Sequence, residues 1–265
     1  MSYLPFLARN RGGSFAATSS GGAVASLFGN CLQFDGTNDH ALREDFVSPA
    51  TNISWSFWFQ QLEHSDDYPF GQDDNFAVQF YKVGASETHQ RVVVRQWFND
   101  GSYNQHYYNA TGERVYSTWD EDQPWVFVCS TWDGSDHVSY VKWNDGTTEQ
   151  AHTKTSSISK TLDAVTGDII VGATGSWGTG TGGTSKGING KVDDVRIYDV
   201  ALSSSNVTSI YNEGSGDFSS VTRESDLHAW WKLDESSGTT ASDEINDMDL
   251  TLTNMDGDTD WVASK

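Results

Sequence analysis

Cysteine, proline and basic residues are all scarce in this chain, and each scarcity removes a class of protein. Two cysteines, Cys31 and Cys129, are too few for a disulfide framework. Each lies in a strand-like run, so buried free thiols are the expectation. Lys and Arg number 16 against 37 Asp and Glu, a formal net charge of −21. No basic cluster interrupts this excess. A nucleic-acid binder needs a positive stripe to displace counterions from phosphate, so nucleic acid is not an expected partner, nor is anionic membrane. The charge reads as solubility, with life in high-salt water or divalent-cation binding as sharper alternatives. No apolar stretch is long enough to cross a bilayer, and membrane insertion is not expected.

The motifs of common chemistries are missing too. The seven His are scattered, without HExxH or paired metal spacing. Gly183-Thr184-Ser185-Lys186-Gly187 has the letters of Gly-x-Ser-x-Gly, but a strand-like run follows it where a nucleophile elbow needs a helix, so no such elbow is read here. The Gly-rich stretch Gly178–Gly183 lacks the Lys-Ser/Thr ending of a phosphate-binding loop and reads as a surface loop. Glycosidases built on β-sandwiches carry alternate carboxylates on one strand, as Glu-x-Asp-x-x-Glu. The nearest approach, Glu224-Ser225-Asp226, has Ala229 at the third position and lies outside any strand-like run. The chain reads as a binding or structural module rather than an enzyme.

What is abundant is aromatic and β-forming. Aromatics make up 13% of the chain, including 11 Trp, and suit the pleated, half-buried surface of a sheet. In ISWSFWFQQ (53–61), Ile53, Trp55, Phe57 and Phe59 share one face and Ser54, Ser56, Trp58 and Gln60 the other. CLQFD (31–35), NFAVQFYKV (75–83), RVVVRQWF (91–98), WVFVCSTW (125–132), HVSYVKW (137–143), DIIVGAT (168–174) and KVDDVRIYDV (191–200) are further strands. Asp133-Gly134 and Asn144-Asp145-Gly146 give hairpin signals. One short helix is expected near residues 203–213. Ser203 is its N-cap, Val207, Ile210 and Tyr211 its apolar face, and Gly214 its stop. The fold class is all-β, an antiparallel sandwich.

Three stretches, in order, resemble the laminin-G-like, concanavalin A-like lectin jelly-roll family. They are LQFDGTNDHA (32–41) with ISWSFWFQ, PWVFVCSTWDG (124–134), and GKVDDVRIYDVALSSSNVTSIYNEG (190–214). The resemblance implies a jelly-roll sandwich and leaves the ligand open. A fourth piece, HAWWKLDESSGTTASDEINDMDLTLTN with the closing DW (228–261), resembles the beginning of such a domain but stands at the end. It is also similar to modules of marine phage structural proteins. The expected organisation is therefore an N-terminal arm (1–30), a jelly-roll (31–214) and a C-terminal segment (215–265). That segment supplies the missing opening strand, through His228–Leu233 beside Lys191–Val200, or donates it to a neighbouring subunit.

Two candidate sites follow. Asp193 sits in KVDDVRIYDV on the face expected for Val195 and Ile197, where an ionised carboxylate is costly unless paired or coordinated. Asp35 and Asp39 flank the FDG turn. Hard oxygen ligands suit Ca²⁺, so Asp35, Asp39 and Asp193 form a candidate calcium set. The rival is hydrogen bonding of Asp193 to turn amides without metal. Tyr103, Tyr107, Tyr108 and Trp177, set among Asn, Gln and Gly, are candidate ligand-binding rings; the rival is packing beneath their own loops. MSYLPFLARNRGG does not read as a secretory signal, because its apolar run is short and Arg9 and Arg11 follow it. The expected role is a virion structural or decoration protein at the virion surface, released by lysis. Its expected partners are other capsid or tail proteins, cell-surface glycan and further copies of itself as a homo-oligomer. The alternatives are a carbohydrate-binding module outside a virus, with a cytoplasmic or non-classically exported location, and, behind it, a glycoside hydrolase.

Overall fold

The computed structural model describes residues 29–63, 66–82, 90–108, 124–144, 149–162, 165–173, 187–214 and 221–264. Strands are numbered β1 to β16 in chain order. In sheet A the hydrogen-bonded order is β10 (Glu149–Ser157), β9 (Asp136–Asn144), β8 (Val126–Trp132), β3 (Ile53–Gln61), β12 (Asn189–Tyr198), β1 (Asn30–Asp35) and β16 (Trp261–Ala263). In sheet B it is β14 (Thr240–Ala241), β15 (Leu250–Thr253), β2 (His40–Val47), β11 (Thr166–Val171), β4 (Asp67–Gln72), β5 (Phe76–Lys82), β6 (Gln90–Trp97) and β7 (Tyr103–Tyr108). Every pairing is antiparallel, and the two sheets face each other as the expected sandwich.

Alternation builds the core. Trp55, Phe57 and Phe59 of β3 point between the sheets, where they meet Phe70, Phe76 and Phe80 from sheet B. Trp55 stacks on Phe76 at 5.0 Å between centroids, and Phe59 meets Phe80 edge-on at 4.6 Å. Each such ring, removed from water, contributes about 1.5–3 kcal/mol. All nine residues of β3 are buried, so its Ser/Trp face is not solvated either. Trp58 lies in a second apolar layer with Trp125, Phe127 and Cys129, covered by helix α1 (Ser204–Glu213) through Val207, Ile210 and Tyr211. Cys31 and Cys129 are free thiols buried in this layer.

The helix begins where its cap residues dictate. Ser203 Oγ accepts from the Asn206 amide, and the Asn206 side chain accepts from the Ser203 amide, both at 3.2 Å, a reciprocal capping box. Its end differs from the expected left-handed stop. Gly214 has φ −58°, ordinary for any residue. A glycine stands there for space, since a Cβ would lie 2.4 Å from Trp58 Cζ2.

Strand β12 is not regular. Its pairing with β3 jumps between Asp193 and Arg196, and Asp194 takes φ +49°. The extra residue of a β-bulge reverses the alternation beyond it. Val195 and Ile197 join the inter-sheet core. Asp193, paired with Trp58, lies on the other side, beside Cys31. The expectation that Asp193 shares a face with Val195 and Ile197 is corrected by this bulge. Burial, reinforced by the neighbouring Asp194 charge, holds the Asp193 carboxyl well above the usual carboxylate range.

On the edge of β12 away from β3, two strands share the space end to end. Leu32–Asp35 of β1 pair with Asn189–Val192, and β13 (Leu227–Trp231) pairs with Val195–Tyr198. Residues 221–264 thus lie in the same sandwich as the rest. β13 and β16 join sheet A, and β14 and β15 extend sheet B. An ion cluster fastens this segment. Arg196, with no exposed surface, donates through Nε to Asp194 Oδ1 at 2.8 Å and through Nη1 to Glu213 Oε2 at 2.5 Å. Trp230 Nε1 of β13 donates to the same Asp194 oxygen at 2.8 Å, and the guanidinium lies 4.8 Å from the Trp230 ring centroid. Bulge, helix end and C-terminal strand therefore meet at one cation.

Two outcomes follow. Arg196→Ala leaves Asp194 and Glu213 buried without a counter-charge and should cost about 3–5 kcal/mol; an unfolding free energy within about 1 kcal/mol of the parent would refute the role given to the cluster. Ending the chain before Val221 removes β13 to β16 and opens the free edges of β12 and β1. Insolubility or a large fall in melting temperature is expected, and a truncated protein as stable as the parent would contradict it.

Candidate functional site

The acidic set named from the sequence does not assemble. Asp39 Oδ2 accepts the Asp35 amide at 3.0 Å, and Asp35 Oδ1 accepts the Thr37 amide at 2.8 Å. The turn amides are thus taken by the turn's own carboxylates, not by Asp193. Burial lifts the Asp39 carboxyl to about 6, against the lowering effect of the Asp35 amide. Asp35 pairs with Asn189, at the start of β12, while Asp193 lies further along that strand under the Trp58 layer. Among the described residues no group of three or more His, Cys, Asp or Glu side chains could hold a metal ion. The calcium set Asp35, Asp39 and Asp193 is corrected accordingly: strand register keeps the third carboxylate away from the other two. Glu224-Ser225-Asp226 forms a single 3-10 turn, with Asp226 paired to Arg223 at 2.8 Å, so it offers no strand face of carboxylates.

The aromatic candidates divide by the alternation of β7. Tyr103 and Tyr107 are 53% and 41% exposed and lie on the outer face of sheet B. Tyr108 faces the other way, is fully buried in the core, and donates its hydroxyl to the Ser139 carbonyl at 2.7 Å. Its ring is not available to a ligand, which corrects its place in the set. Trp177 lies outside the described residues.

Around the two exposed rings the sheet builds a mixed surface. Across the β6–β7 ladder, Trp97 stands opposite Tyr103, Arg95 opposite Gln105 and Val93 opposite Tyr107. Trp97 and Tyr103 are 5.6 Å apart between centroids at 44°. Arg95 Nε donates to Gln105 Oε1 at 3.2 Å, and its Nη2 to Gln79 Oε1, on β5, at 2.8 Å. An aromatic pair, a guanidinium held between two amides, and a third ring thus follow one another along the edge of the sheet. Trp97 also borders a cavity of about 380 Å³ at the sheet's end, with Asp74, Asn75, Phe98 and Leu162. Arg95, Gln105, Gln79 and Trp97 were not named from the sequence. The signal for them was available: Asp100-Gly101 between two strand-length runs marks the β6–β7 hairpin, with Gly101 at φ +75°. Placing β7 there puts Tyr103, Gln105 and Tyr107 on one face.

The inner face of β7 is polar and explains why this edge strand is held rigidly to the opposite sheet. His106 Nδ1 lies 2.6 Å from Ser139 Oγ, and its Nε2 lies 2.9 Å from Ser156 Oγ. His137 bridges Asn104 Oδ1 at 2.7 Å and Ser130 Oγ at 2.9 Å. The two imidazoles stack at 4.4 Å, nearly parallel at 8°. Burial, with the Lys154 charge, lowers His106 to about 4; burial, with the His106 charge, lowers His137 to about 3. Both rings are neutral at pH 7, and every ring nitrogen has a partner.

No protein-family model matches the chain, and comparison with curated proteins finds no relative. Solved structures do share its architecture. A SAP-like pentraxin from Limulus polyphemus superimposes with a TM-score of 0.51 at 17% identity, over 86% of this chain and 96% of that one. A carbohydrate binding protein from Bacteroides ovatus superimposes with a TM-score of 0.54 at 15% identity, over 91% of this chain and 62% of that one. This chain therefore spans less than two thirds of the Bacteroides protein. At such identities the likeness establishes the fold: a lectin-type jelly roll of two antiparallel sheets.

The histidine pair has a consequence in acid. A histidine whose folded pKa lies below its unfolded value of 6.5 withdraws stability as pH falls from 6.5, because the unfolded chain takes the proton first. The loss continues down to the folded values, about 4 and about 3. Asp39 and Asp73, each raised to about 6 chiefly by burial, act in the opposite sense between pH 6 and their unfolded 3.8. The histidine share is isolated by comparing the parent with His106→Gln/His137→Gln. Between pH 7 and 4.5 the parent's unfolding midpoint should fall more steeply than the variant's, and parallel curves would count against a neutral buried pair.

Proposed function

We propose that the protein is a non-catalytic sugar-binding module whose ligand lies along the outer face of β7, at the edge of sheet B beside Arg95 and Trp97 of β6. The observation that carries this reading is the placement of Tyr103 and Tyr107. Both rings are exposed, they share one face, and a fixed guanidinium–amide group lies between them. A sugar ring offers C–H groups on its faces and hydroxyls at its rim. Aromatic rings cover the first, and planar guanidinium and amide groups, which donate and accept in fixed directions, meet the second. The fold supports the reading, since the Bacteroides protein of like architecture is described as carbohydrate binding. Hydrolysis of a glycosidic bond would need a pair of carboxylates flanking it, and β5, β6 and β7 contribute neither Asp nor Glu.

The setting we propose is a virion surface, among other virion proteins. It is supported by the similarity of residues 228–261 to phage structural modules. Capsid and tail genes beside this one are expected, and sugar-utilisation genes there would place the module outside a virus.

Binding of the full chain to a glycan array tests the main reading. Tyr103→Ala and Tyr107→Ala should each weaken binding by about 2-fold to 10-fold, the scale of one stacked ring, with little change in melting temperature because both rings are exposed. Binding unaffected by both substitutions would move the site elsewhere.

A further inference from the structure

The sugar-binding face has a charge unlike that of the rest of the chain. Acidic residues outnumber basic ones 37 to 16 overall. Yet β5, β6 and β7 carry not one Asp or Glu, and Arg91 and Arg95 alternate with the core residues Val92 and Val94 on the outer side of β6. Random placement in so acidic a chain would put carboxylates here, and their absence leaves one acid-free, basic stretch of sheet.

Arg95 stands out within it. Two arginines elsewhere pair with carboxylates: Arg196 takes Asp194 and Glu213, and Arg223 takes Asp226. Arg95 takes two neutral amide oxygens, Gln105 Oε1 and Gln79 Oε1, and no carboxylate among the described residues. Amide acceptors orient a guanidinium without neutralising it. Nε and Nη2 are engaged, so the plane of the group is fixed, and among the described residues Nη1 has no acceptor. Neighbouring same-face residues along a strand are spaced by roughly 7 Å. The guanidinium therefore lies within one sugar unit of both Tyr103 and Tyr107.

Resting on the proposed glycan site, we infer that the sugar this face takes is anionic, with its carboxylate, sulfate or phosphate group docked on Arg95 while its ring lies against Tyr103 or Tyr107. The charge-assisted contact is short and directional. The chain's overall negative charge disfavours a long polyanion, which it would repel beyond the face, and favours a short or terminal acidic sugar. Salt screens exposed charge pairs, so affinity should fall as ionic strength rises.

The test titrates the full chain with three matched oligosaccharides of one length: neutral galacto-oligosaccharide, oligogalacturonate and sulfated galacto-oligosaccharide. The acidic ligands should bind roughly 10-fold or more tightly than the neutral one, the scale of one charge-assisted contact. Arg95→Gln should abolish that preference, weakening the acidic ligands far more than the neutral one, Arg95→Lys should keep part of it, and Tyr103→Ala should weaken all three. Which acidic ligand wins tells carboxylate from sulfate. Equal affinity for neutral and acidic ligands, unmoved by Arg95→Gln, would overturn the anionic ligand and leave the sugar-binding reading standing. Binding of none of the three or of any other sugar on an array would overturn both.

Discussion

Strand β12 must satisfy three partners, and the rest of the structure is arranged around how it does so. One edge belongs to β3 throughout. The other is divided between β1 and β13, which meet it end to end. A straight strand would present one unbroken alternation to both. The bulge at Asp194 breaks it, so Val192 and Val195 both face the inter-sheet core and the chain turns Asp193, Arg196 and Tyr198 outward. The outward side is dry, because α1 and the stretch leading to β13 cover it. A cation placed there has to bring its own counter-charges. Arg196 does so with Asp194 and Glu213, and Trp230 completes the group. Apolar side chains of similar size could pack in the same space. What the charged cluster adds is register: the helix end, the bulge and β13 can each occupy only one position relative to the guanidinium.

The same logic of a polar cluster fixing an edge recurs at the other end of the sandwich. β7 is the last strand of its sheet, and its inward residues are Asn104, His106 and Tyr108. An apolar face there would bury well but slide easily. Stacked imidazoles bound on both nitrogens do not slide, because each displacement breaks directional bonds in a buried place. The outer face of β7 inherits that rigidity, and exposed tyrosines mounted on a fixed strand lose little freedom on meeting a ligand.

Much of this was legible before the fold was known, and the rest was hidden for definite reasons. β3 declares itself because rings recur at every second residue, and β8 because its run is largely apolar and β-branched. The helix does so through Ser203, and β13 through Trp231. β10 was invisible: EQAHTKTSS has a polar residue at almost every position, since it pairs on one edge only and its residues alternate between exposed and half-exposed. β7 was hidden by its polar inner face, which erases the period-two signal just where the binding surface lies. Tyr108 was grouped with Tyr107 because neighbours in sequence look alike until a strand separates them. Asp193 was misplaced because the bulge centres on an aspartate at positive φ, where glycine would have announced it. The end of β13 was obscured in the same way, since Leu233 takes φ +59° two residues beyond the strand.

The two flanks of the described sandwich leave it side by side. Asn30 stands opposite Ala263 in the β1–β16 ladder, and the Ser264 amide donates to the Gly29 carbonyl at 3.1 Å. That ladder is one edge of sheet A. The other edge is β10, whose Lys154 donates to the carbonyl of Tyr107. Six strand spacings of roughly 4.8 Å separate the two edges, about 29 Å in all. A support that gripped the protein by either flank would hold it like a lantern on a bracket, with the tyrosines of β7 at the far side, turned outward to whatever surface came within reach.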